Sequence, residues 1–74
     1  MTRNDIDAPF QHRITIWIDG DGWMSRDNSP ETLELFGTDV LPTPFLRNTR
    51  ASAVVSVLQE LNPDAEIVVK GGAA

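Results

Sequence analysis

The sequence predicts a small α+β fold, a two-layer sandwich of order β-β-α-α-β with a three-stranded sheet covered on one face by two helices. Two patterns carry this expectation. Arg13-Ile14-Thr15-Ile16-Trp17-Ile18 alternates with period two, the mark of a half-buried strand. Ala51, Val54, Val55, Leu58 and Leu61 recur at helical spacing and form one apolar stripe. Length sets the scale: 74 residues can close a single hydrophobic core.

Residues 1–12 show no periodicity and read as a flexible N-terminal arm, with Phe10 available to dock on the domain. In the first strand Ile14, Ile16 and Ile18 share the core face, and Arg13, Thr15 and Trp17 share the other. Asp19-Gly20-Asp21-Gly22 turns the chain, since glycine tolerates positive φ and aspartate bonds nearby backbone N–H groups. Trp23-Met24-Ser25-Arg26 returns as the second strand. A two-residue loop pairs Trp23 with Ile18 on the core face and Met24 with Trp17. A three-residue loop pairs Trp17 with Trp23 on the outer face, and the sequence leaves both registers open.

Ser29-Pro30-Glu31 opens a helix with a hydroxyl cap, a proline in the first turn and an acid near the positive end of the dipole. Gly37 ends it, and so short a helix is expected to dock through Leu33 and Phe36. From Thr38 to Asn48 the prolines at 42 and 44 read as a stiff, extended connection whose apolar residues cover one end of the core. The second helix starts with Asn48 or Thr49 as cap and runs to Leu61, where Asn62-Pro63 stops it. Glu66–Lys70 is the last strand, and residues 71–74 read as a disordered tail beyond a single domain of residues 13–70. A right-handed crossover through both helices places the last strand beside the first, giving sheet order 2-1-3.

Charge and composition narrow the function classes. Six bases against eleven acids leave a net charge of −5, concentrated in residues 1–37, which hold seven acids and three arginines. Such a surface repels phosphate and anionic membrane. There is no cysteine, the N-terminus lacks the features of a secretory signal, and the longest apolar run is three residues, so a cytoplasmic location is expected and no membrane span.

Chemistry-bearing patterns fail on inspection. Asp19, Asp21 and Asp27 resemble the start of a calcium loop. Counted from Asp19, however, the sixth position is Met24 rather than glycine, and the twelfth is Pro30 rather than an acid. His12 is the only imidazole, and no serine lies in a nucleophile elbow. No enzyme activity, cofactor, metal or small-molecule ligand is expected.

Trp17 stands apart. With the isoleucines buried, it projects from the opposite sheet face beside Thr15, Met24 and Val68, a pattern of a contact patch. The competing reading has the N-terminal arm fold over it through Phe10. The expected function is therefore a small acidic protein-interaction domain: a homodimer, or an accessory or inhibitory protein, binding through this aromatic face. The first and last strands also leave an edge open for pairing. The alternative is a nucleic-acid-binding module using Arg47, Arg50 and exposed aromatics, which the charge disfavours.

Overall fold

The computed structural model describes residues 10–71. Its elements in chain order are β1 (Arg13–Asp19), β2 (Gly22–Asp27), α1 (Pro30–Phe36), β3 (Val40–Leu46), α2 (Ala51–Leu61) and β4 (Glu66–Val69). They form an α+β fold with a four-stranded mixed sheet of order β3-β2-β1-β4. β1 is antiparallel to β2 and parallel to β4, and β2 is antiparallel to β3. β3, β1 and β4 therefore run the same way. α2 carries the chain from one edge of the sheet to the other.

The sheet has one strand more than the sequence predicts. Val40–Leu46, expected as a connection capping the core, is an edge strand on β2. Its prolines cannot donate to a ladder, but an edge strand needs donors on one side only, so they are compatible with β3. The expected neighbours of the first strand survive, because β4 does lie beside β1. β1 is consequently internal and offers no edge; the edges are β3 and β4.

Between the two hairpin registers the structure takes the two-residue loop. Ile18 pairs with Trp23 and Trp17 with Met24, and Gly20 supplies the positive φ, 65°, that the turn requires. Trp23 thereby joins the isoleucine face. The core holds Ile14, Ile16, Trp23, Val54 and Ala65, with Phe45, Ala51, Val55, Leu58 and Ile67 packed around it. Ile16 and Val54 are fully buried, so α2 lies on the isoleucine face, as its stripe implies. Trp23 Nε1–H donates to the Thr49 carbonyl at 3.1 Å and ties the hairpin to the chain entering α2. Two expected core residues lie at the margins: Ile18 ends β1 beside the turn and Leu61 ends α2, and both are exposed.

The helix starts differ from expectation. Ser29 does stand at the cap position of α1, but its hydroxyl makes no capping bond. The cap of α2 is Arg50, again without a side-chain bond, rather than Asn48 or Thr49. The larger correction concerns α1, which buries none of its residues. Leu33, Leu35 and Phe36 are 55%, 77% and 60% exposed, so α2 alone covers the isoleucine face. What closes α1 is Gly37, in the left-handed region at φ 73°, whose N–H donates to the Leu33 carbonyl at 2.8 Å. A Cβ at Gly37 would meet nothing within 4 Å, so only the backbone penalises a side chain there. Gly37→Ala is expected to open this end and speed hydrogen exchange of the residue 37 amide roughly tenfold, against the 1–2 kcal/mol scale of a left-handed alanine. An unchanged exchange rate would show that the cap does not hold α1 together.

Of the arm, only residues 10–12 are described. His12 is tied to the domain, because its carbonyl accepts from Glu66 N–H at 2.9 Å and its Nε2 lies 2.7 Å from Asp27 Oδ1. The rest of the arm, residues 1–9, and tail residues 72–74 lie outside the described residues.

Candidate functional site

Strand alternation places Thr15 and Trp17 of β1 opposite the isoleucines, and the β2 register puts Met24 directly beside Trp17. β4 adds Val68 beside Thr15, and β3 adds Pro42 beside Met24 and Val40 beside Arg26. The result is a row of Pro42, Met24 and Trp17 across three strands, with Val40, Arg26, Thr15 and Val68 in the row below. Thr15, Trp17 and Met24 are each half-buried by their strand neighbours. α2 covers the opposite face, and no residue of α1 is fully buried.

Charges frame this face. Lys70 Nζ stands 6.0 Å from the centre of the Trp17 ring, at the outer limit of a cation–π contact. Arg13 Nε meets Glu66 Oε1 at 3.0 Å, and Arg26 Nε meets Asp39 Oδ2 at 3.6 Å; these half-exposed pairs orient side chains more than they stabilise the fold. Phe10, proposed from the sequence as a cover for Trp17, stacks instead on His12 with centroids 6.2 Å apart, and is 60% exposed. The sequence singled out Thr15, Trp17 and Met24, but missed the contribution of β3 and the position of Lys70. The spacing of Pro42 and Pro44 by two residues was the available signal, since it leaves alternate N–H groups of an edge strand intact.

Arg47 and Arg50 do not belong to this face. Arg47 Nη1 donates to the Gly20 carbonyl at 2.9 Å, and its backbone N–H donates to the Asp21 carbonyl at 2.8 Å. It therefore clamps the β1–β2 turn to the end of β3, in a stretch where Asp19 and Asp21 flank Gly20. Arg50 precedes α2 in the helical layer, and its carbonyl accepts from Ala53 and Val54 N–H. Among the described residues neither arginine forms an ion pair, but carboxylates flank the turn that Arg47 grips. A phosphate approaching there meets like charge.

A polar cluster joins the ends of β1 and β2 to α1. Asp27 Oδ1 accepts from Ser29 N–H at 2.9 Å and faces His12 Nε2 at 2.7 Å. The Ser29 hydroxyl donates to Glu31 Oε1 at 2.6 Å. That bond, helped by the Glu31 backbone, holds the Glu31 carboxyl below the usual carboxylate range. The serine thus lacks an imidazole partner, and the cluster acts as a joint between elements. Among the described residues no three histidine, aspartate or glutamate side chains converge as metal ligands, and no helix is long and apolar enough to cross a membrane.

Among the described residues, an open groove of ≈ 770 Å³ lies between α2 and β4, lined by Ala51, Ser52, Val55, Ser56, Gln59, Glu60 and Val69. It carries one carboxylate and no basic group. No protein-family model, curated protein or solved structure matches the chain.

Proposed function

We propose that this chain is a protein-interaction domain that binds a partner protein through the sheet face opposite α2, with Trp17 as the anchor. The observation that carries the reading is Trp17 itself: a half-exposed tryptophan in register with Met24, at the centre of a face that no helix covers. Tryptophan presents a large apolar area with little rotamer entropy to lose, and it is enriched among residues that dominate binding energy. Pro42, Val40 and Val68 extend the apolar patch, while Lys70, Arg26 and Asp39 supply a polar rim.

The surface chemistry supports a protein rather than a polyanion as the partner. The net charge of −5 opposes nucleic acid, and Arg47 and Arg50 lie at the turn and at the start of α2 rather than on this face. An accessory or inhibitory role, in which a small domain covers a surface of another protein, fits a chain whose groove between α2 and β4 is open rather than enclosed.

The test is affinity capture with three immobilised proteins: wild type, Trp17→Ala and Val57→Ala. Val57 is exposed on α2, in the opposite layer, and serves as the control. Proteins retained by wild type and by Val57→Ala should be lost with Trp17→Ala, whose affinity should fall about thirtyfold, the 2 kcal/mol scale of a hot-spot residue. Equal retention by all three, with circular dichroism showing each folded, would sink the reading.

A further inference from the structure

We propose that two copies of this chain pair edge to edge through β4, antiparallel and centred on Val68, to form one continuous sheet. This edge borders the Trp17 face and shares Val68 and Lys70 with it, but it binds through the backbone of β4 rather than through Trp17, so either proposal can fail without the other.

The two edges of the sheet differ in what they offer. On β3, Asp27 N–H donates to the Asp39 carbonyl at 2.9 Å, which turns residue 39 inward and, by alternation, Val40 and Pro42 outward. Pro42 and Pro44 carry no N–H, so this edge cannot present a full ladder. β4 has no such protection. Glu66 N–H donates to the His12 carbonyl at 2.9 Å and Lys70 N–H to the Ile16 carbonyl at 2.8 Å, so residues 66, 68 and 70 bond inward to β1. The N–H and C=O groups of Ile67 and Val69 then point outward, and no strand among the described residues pairs with them. Exposed edges of this kind recruit another strand.

The sequence of that strand selects a second copy as the occupant. Glu66-Ile67-Val68-Val69-Lys70 is self-complementary when read against itself in reverse. Centring the pair on Val68 sets Glu66 opposite Lys70 of the other copy at both ends, and Ile67 opposite Val69. The outward-facing residues Ile67 and Val69 then meet each other, so four N–H···O=C bonds form with none left facing an inward group. Glu66, Val68 and Lys70 share one sheet face, so both charge pairs form on the same side. Glu66 already accepts from Arg13, and a carboxylate has the lone pairs to accept from a lysine as well.

The groove beside β4 is the third observation. A two-fold axis normal to the sheet brings the α2 helices of the two copies together above the joined strands. Their facing flanks carry Ala51, Ser52 and Ser56, small enough for close approach, with Val55 and Val69 to fill the groove. The strands supply register and the helices supply apolar burial.

The test is sedimentation equilibrium of the full chain, wild type and variants. Wild type should be a dimer. Glu66→Lys and Lys70→Glu each place like charges opposite one another in their own dimer and should weaken it about tenfold or more. An equimolar mixture of the two single variants restores opposite charges at both ends and should dimerise like wild type. Val69→Pro removes an outward donor while sparing the bonds to β1, and it should be monomeric with an unchanged circular dichroism spectrum. A wild-type monomer at millimolar concentration overturns the proposal. So does a dimer that Val69→Pro leaves intact, or a mixture that associates no better than its components.

Discussion

Trp23→Ala is expected to remove about a third or more of the domain's stability. Trp23 is 5% exposed, lies in the core cluster with Ile14, Ile16 and Val54, and bonds the Thr49 carbonyl through its indole N–H. Truncation of a buried aromatic costs about 3–5 kcal/mol, from lost transfer energy plus the cavity it leaves. The whole domain has roughly 4–10 kcal/mol to lose, on the usual per-residue scale. Leaving the Thr49 carbonyl without its donor adds to the loss, because that bond links the hairpin to the start of α2. Urea denaturation followed by circular dichroism gives the number; a loss under about 1 kcal/mol would be incompatible with Trp23 as a core residue.

Val54→Asp should be more damaging still, and its pH dependence tells how. Val54 is fully buried and is the residue by which α2 meets the isoleucines. A carboxylate there has no cation to pair with, and an uncompensated buried charge costs more than about 3 kcal/mol. Burial raises the folded-state pKa of the introduced carboxyl above its unfolded value, so the native state binds the extra proton. Stability of the variant relative to wild type therefore falls as pH rises, and the deficit narrows on acidification through the raised pKa. Denaturant titrations at two pH values check this; a deficit independent of pH would mean that α2 has moved and exposed the group.

Much of the architecture was legible because it rests on periodicity. The alternation of Ile14, Ile16 and Ile18 fixed β1, and the 51–61 stripe fixed α2, since each period matches one burial geometry. β3 was not legible. Its strand character comes from pairing with β2, a non-local gain that overrides the local preference of Pro42 and Pro44 for an extended loop. The docking expected of α1 failed for a related reason: Leu33 and Phe36 form an apolar face, but the sequence does not say whether the sheet has room for it. On the functional side Thr15, Trp17 and Met24 could be grouped once the two-residue turn was chosen. The rest of the face could not, because Pro42 joins the patch and Lys70 the rim only through strand order.

The two tryptophans lie on opposite faces of one hairpin, Trp23 in the packed layer and Trp17 on the face proposed to bind a partner. The buried core lies on the α2 side, and the other side of the sheet is the face proposed for recognition. Side-by-side urea unfolding of Trp17→Ala and Trp23→Ala, at equal protein concentration, tests this division most directly. Trp17→Ala should lose only about 1–2 kcal/mol, the scale of cross-strand contacts such as those to Met24 and Lys70, against about 3–5 kcal/mol for Trp23→Ala. Equal loss of stability in both variants would contradict it, placing Trp17 in a second core and leaving the sheet without a free face.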